Sequence, residues 1–182
     1  MRRLLPLLLL LFLCGRAGAQ FISAHHRCWD IVEEVDDSRR QVQVPMMTAV
    51  VDSGSMLVAL AVNYLGVPYR YAGRTPKAFD CAGFALFLYR HFGYDLPGWS
   101  GAQARLGIEV SDTRNLRPGD LVFFGGRGNR KVVGHTGIVV DADEQTGAFR
   151  FIHASTGAGV IVSRSTEDYY RKRYLTARRI LH

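Results

Sequence analysis

The chain has 182 residues, a formal net charge of +7 and 48% hydrophobic residues. That length supports one ordinary domain with a real core, and the mildly basic balance is no nucleic-acid footprint. Beyond the first nineteen residues no segment is long and apolar enough to cross a membrane, and internal repeats and low-complexity stretches are lacking.

Arg2 and Arg3, the apolar run Leu4 to Leu13 and the small-residue site Ala17-Gly18-Ala19 follow the pattern of an export leader. They predict a signal peptide over 1–19, a mature chain from Gln20 and a location in the periplasm or cell envelope. Cys14 follows Leu13, not a small residue, which disfavours lipid attachment there. Without the three arginines of the leader the net charge is +4, suited to an anionic polymer such as a cell wall. Cys28 and Cys81 remain, far apart in sequence, and no bridge is expected between them even in an oxidising compartment.

Residues 20–54 read as a polar N-terminal extension, partly helical around 27–40. His25 and His26 are adjacent but without further ligands, so neither a metal nor any other cofactor is expected. The domain proper spans 55–182. Ser55 is predicted to cap a helix running through Leu57, Leu60 and Tyr64 to Gly66, with Pro68 as its stop. A Gly/Pro-interrupted loop over 67–79 leads into a second helix from Asp80 or Cys81 to about Phe92. Asp80 is its N-cap, Phe84, Phe87, Leu88 and His91 recur on one face, and Gly93 ends it. His91, at its end, reads as a capping or surface residue.

From there the apolar period changes to two. A short edge strand is expected at Gly107–Ser111, a turn at Leu116 to Asp120 and a strand at Leu121–Phe124. The loop Gly125 to Lys131 is glycine-rich and basic but lacks the spacing of a phosphate loop. Strands follow at about 134–141, 148–154, 159–163 and 174–181, with a short helix at 165–172. Helices first and an antiparallel sheet second make an α+β domain.

Two features carry chemistry. Cys81 lies where a loop enters a buried helix, a place where the helix dipole and free backbone N–H groups favour a thiolate. His135 and His153 flank a turn, Asp141 to Gly147, whose centre lies midway between them. They are therefore expected on neighbouring strands, opposite each other within about one residue, and able to touch if they share a face. Cysteine, imidazole and a third polar group are the parts of a nucleophile, its base and an orienter. A buried cysteine and two strand histidines also occur as inert packing, and the residues alone leave both readings open.

At these residues the chain resembles the NlpC/P60 cell-wall cysteine peptidases. The resemblance rests on Gly66-Val-Pro-Tyr69, Phe79-Asp-Cys-Ala-Gly-Phe84 and Leu96-Pro97 to Gln103. It continues through Arg117-Pro-Gly-Asp-Leu-Val-Phe-Phe124, Gly134-His-Thr-Gly-Ile138, Phe151-Ile-His-Ala-Ser155 and the tail Tyr174 to Leu181. It covers about 55–182 and is similar to the short, single-domain envelope members. It implies a papain-like α+β fold and hydrolysis of peptide bonds in peptidoglycan stems or muropeptides by a monomer. Cys81 would be the nucleophile, held as thiolate by His135, with His153 the third member. Tyr69 would help bind the oxyanion, and Asp80 would receive a substrate amine or simply cap its helix. The bond cut, γ-D-glutamyl–diamino acid or D-alanyl–diamino acid, stays open. So do an N-acetylmuramoyl-L-alanine amidase and a non-catalytic wall-binding domain. Departures from the family pattern stand at Ala72, Ala82 and Gly98-Trp99, all near the expected cleft.

Overall fold

The computed structural model describes residues 52–181. The leader, nearly all of the extension, Cys14, His25, His26 and Cys28 lie outside the described residues.

The first helix, α1 (Ser53–Val62), starts two residues before the predicted cap. Asp52 caps it, accepting from the Ser55 backbone N–H at 2.9 Å and from the Ser55 hydroxyl at 2.8 Å. Ser55 is thus the partner of the cap and not the cap itself. The helix also ends before Gly66. The Gly66 N–H bonds to the Val160 carbonyl at 2.9 Å, so pairing with a distant strand draws the chain out of helix.

A two-stranded hairpin, β1 (Arg74–Thr75) and β2 (Ala78–Phe79), precedes α2 (Cys81–Arg90). Asp80 caps α2 as expected, its Oδ1 accepting from the Gly83 N–H at 2.6 Å. Burial is wider than one face: Ala82 to Leu86, Leu88 and Tyr89 are all enclosed. His91 is the exposed C-cap residue, its Nδ1 2.9 Å from the Phe87 carbonyl. A four-residue helix, α3 (Ser100–Gln103), follows the second motif.

The remaining elements are β3 (Ile108–Glu109), a 3-10 turn at Thr113–Asn115, β4 (Leu121–Gly125), β5 (Val133–Ala142), β6 (Phe149–Ser155), β7 (Gly159–Arg164), α4 (Asp168–Arg171) and β8 (Tyr174–Arg179). The six strands form one sheet in the order β3-β8-β4-β5-β6-β7, antiparallel throughout. The α+β expectation therefore holds. Helix α4 is shorter than predicted because Ser165 is committed to the sheet, its N–H bonding the Phe149 carbonyl at 2.9 Å.

Alternation along the strands divides the core between two faces. Leu121, Phe123, Ile138 and Ile152 pack with Leu57, Phe84 and Leu88 of the helices. Val122, Phe124, Val139 and Phe151 pack on the other face with Tyr170 and Ala177. Below β4, Asp120 is 2% exposed and grips Arg179 with both oxygens, at 2.9 and 2.7 Å. It also accepts from the Arg117 N–H at 2.8 Å, while Tyr89 donates its hydroxyl to the Gly119 carbonyl. The Arg117-Pro-Gly-Asp120 motif is thus a structural lock tying the turn, α2 and β8 together.

Candidate active site

Cys81 is the first residue of α2 and half-buried, and its thiol is free. Helix α2 packs on one face of the sheet, with β5 among the strands it touches. The expected thiolate is not the resting state. Burial pushes the Cys81 thiol up, and the Asp80 carboxylate adds to that. Together they outweigh the N–H groups of Thr136, Ala82 and Cys81 that favour the anion.

His135 lies on β5 beside a bulge. Phe124 pairs with His135, but Gly125 pairs with Val133, so Gly134 is the extra residue. A Cβ at Gly134 would stand 2.6 Å from the Gly126 Cα, which is why the strand can swing there only with glycine.

The two histidines do meet, by a register different from the one expected. In β5–β6 Ile138 pairs with Ile152 and Val139 with Phe151, which sets His153 across from Gly137. His135 and His153 are thus diagonal, two residues out of opposition. Two is the period of the pleat, so they still share a face, the one carrying Phe124 and Phe151. His135 Nε2 lies 2.8 Å from His153 Nδ1, with the rings perpendicular.

Behind them stand two residues that no motif or spacing in the chain points to. His153 is 1% exposed, and its Nε2 is 3.1 Å from Ser163 Oγ and 3.2 Å from the Tyr170 hydroxyl. Burial lowers the proton affinity of both imidazoles below the ordinary histidine range, to about 4 for His135. The resting site is therefore a neutral thiol and two neutral rings. Among the described residues neither nitrogen of His135 is hydrogen-bonded to the sulfur. Its Nε2 is engaged by His153, which leaves Nδ1 without a hydrogen-bond partner among the described residues.

A cavity over Cys81 is lined by Tyr69, Tyr71, Ala72, Asp80, Trp99 and Gly134, among others. Tyr69 is half-buried. Burial raises its phenol, with the Asp80 carboxylate adding to that, so it stays a donor. Asp80 both caps α2 and lines this cavity. Trp99 lines it too and is exposed, not packed. Ala72 holds φ at 57°, a left-handed conformation that costs a non-glycine residue ~1 kcal/mol. Gln103 donates at once to the Ala82 carbonyl, at 2.9 Å, and the Pro97 carbonyl, at 2.8 Å, clamping the 97–99 wall onto the start of α2.

The NlpC/P60 family matches this chain over residues 66–179. The chain is 40% identical over 132 residues to the murein DD-endopeptidase MepS/murein LD-carboxypeptidase of Escherichia coli K12, covering 72% of this chain and 65% of that one. It is 42% identical over 120 residues to the probable endopeptidase NlpC of the same strain, covering 65% and 72%. Among solved structures an NlpC/P60 family protein from Bacillus cereus superposes with a TM-score of 0.64 at 30% identity, over 71% of this chain and 41% of that one. The chain thus spans just under two thirds of the length of the first of these relatives.

Proposed function

The chain belongs to the NlpC/P60 family, and on that premise we propose that it is a cysteine endopeptidase hydrolysing peptide bonds in peptidoglycan stem peptides or cross-links. The observation that carries the reading is the 2.8 Å contact between His135 and His153, standing where β5 meets the Cys81 helix start. The name of the MepS relative, an endopeptidase and carboxypeptidase of murein, supports the substrate class.

Cys81 is the nucleophile, His135 its base and His153 the orienter. For His135 Nδ1 to accept a proton, Nε2 must carry the ring hydrogen and donate it to His153 Nδ1. His153 then bears its own hydrogen on Nε2, for which Ser163 Oγ and the Tyr170 oxygen are the acceptors. The thiol proton passes to His135 Nδ1 as the sulfur attacks the amide carbonyl. The resulting imidazolium is held by His153. The oxyanion accepts from the Cys81 backbone N–H and the Tyr69 hydroxyl. His135 returns the proton to the leaving amine, the C–N bond breaks, and water attacks the thioester to release the acid and the thiol. The leader pattern supports export to the envelope, where this substrate lies.

The test is digestion of purified sacculi by the protein and by Cys81→Ser, with products read by mass spectrometry. New stem fragments from the first protein alone are expected, and their masses assign the bond. Identical product profiles on several wall types would overturn the reading. Release of intact stem peptides from the glycan would make the protein an amidase instead.

A further inference from the structure

Two cavities share Gly134 in their walls. One lies over Cys81 and holds the carboxylate of Asp80. The other, of about 460 Å³, is lined by His135, His153, Gly126, Arg127, Thr156 and Tyr169, among others. The proposed chemistry takes His135 and His153 from the wall of the second cavity and gives its other residues no role.

Arg127 belongs to the basic glycine-rich loop and is exposed. Its terminal NH2 donates to Thr156 Oγ1 at 2.9 Å, a bond between two loops 29 residues apart. Among the described residues no carboxylate pairs with Arg127; several other arginines share this, but Arg127 alone of them combines it with a place in the wall of this cavity. Thr156 takes one of its five N–H donors, and the rest of the guanidinium fork is free for a bidentate acceptor.

The direction of the reaction decides what enters this cavity. His135 protonates the departing nitrogen, so the leaving fragment must lie on the His135 side of the sulfur. The substituents on the carbon bearing that nitrogen then fall into the cavity that His135 lines. We propose that this cavity is a subsite for the free carboxylate of the leaving fragment, with Arg127 as its cation and Thr156 as the residue that holds the guanidinium in place. This inference rests on the peptidase reading above. It selects among the bonds that reading leaves open. In a D-alanyl–diamino acid cross-link, and in release of a terminal D-alanine, the departing amine sits on a carbon that bears a free carboxylate. In the γ-D-glutamyl–diamino acid bond of a longer stem, that carboxyl is tied up in the next amide. The subsite favours the first two.

The test uses two synthetic stem peptides identical up to the scissile bond, whose leaving residue ends in a carboxylate or in a carboxamide. The protein should cut the carboxylate peptide with a kcat/KM about 10- to 100-fold higher, the size of one charge-assisted bidentate contact. Arg127→Gln should collapse that ratio towards one, chiefly through KM, and Arg127→Lys should restore part of it. Equal cleavage of both peptides by the unaltered protein, or a ratio that survives Arg127→Gln, would overturn the subsite. Failure of the peptidase reading looks different: neither peptide is cut in a Cys81-dependent way. Titration of Cys81→Ser with D-alanine and with D-alaninamide then still decides the subsite. Preferential, Arg127-dependent binding of D-alanine supports it, and equal binding overturns it.

Discussion

Asp120 and His153 are both almost wholly enclosed, and the fold satisfies them in opposite ways. Asp120 spends both oxygens on one guanidinium and one backbone N–H. His153 lies in a chain of neutral groups, each joined to the next by a single hydrogen bond from His135 to Ser163 and Tyr170. A buried ion pair is rigid: removing one partner strands the other, so it serves to tie segments together. A neutral relay is poised: it has room to take up one proton at His135 and share it with His153. The same sheet thus carries a lock at one cluster and a proton store at the other, and the difference lies in whether the charge is permanent or transient.

Substitutions should separate the two clusters. The largest effect is expected from His135→Ala, which removes the proposed base and should lower kcat/KM by about 10²- to 10⁴-fold while the thermal melt stays near that of the unaltered protein. An unfolded variant, or one with near-full activity, would break the comparison on its relay side. Asp120→Ala should do the reverse. It should cost about 3 kcal/mol in urea unfolding, the low end for a broken buried pair because Arg179 keeps 23% of its side chain exposed, with activity per folded molecule retained.

Smaller effects sharpen the relay itself. Ser163→Ala and Tyr170→Phe each remove one acceptor for His153 Nε2, and either alone should cost about 3- to 10-fold in kcat/KM. Together they should cost more than the product of the two, since the first loss is covered by the remaining hydroxyl. A multiplicative double variant would mean that they act separately.

The mildest test is titration. Both imidazoles bind protons less readily folded than unfolded, so the unfolded chain holds more protons between the ordinary histidine value of 6.5 and the lowered folded values, about 4 for His135. Stability from this source is therefore complete above pH 6.5 and is lost as the pH falls through that window. His153→Asn should flatten that part of the stability curve measured by urea unfolding, whereas a variant of the lock should leave its slope in place. The acid limb of kcat/KM should likewise lie below 6.5.

How far the site was legible depended on the range of each interaction. The Asp80 cap and the Cys81 helix start are settled within three residues, and local sequence contains all that they need. The pairing of β5 with β6 was legible as a hairpin but not in its register. The turn and a bulge between Val139 and Asp141 moved His153 two residues along, and the shared face survived only because the shift was even. The first helix was misjudged at both ends for the same kind of reason: Asp52 reached in from outside the apolar pattern, and Gly66 was claimed by Val160.

By itself the sequence determined most of the helices and strands and the order of the motifs, because these follow from periodicity, caps and turns read over short spans, and the family resemblance singled out Cys81, His135 and His153 as candidates. Only the tertiary structure decided the protonation of the site, the acceptors behind His153 and the place of Arg127. A buried thiol is neutral because of the atoms packed around it, not because of its neighbours in the chain. Ser163, Tyr170 and Thr156 matter only once folding has brought them next to residues 10, 17 and 29 positions away.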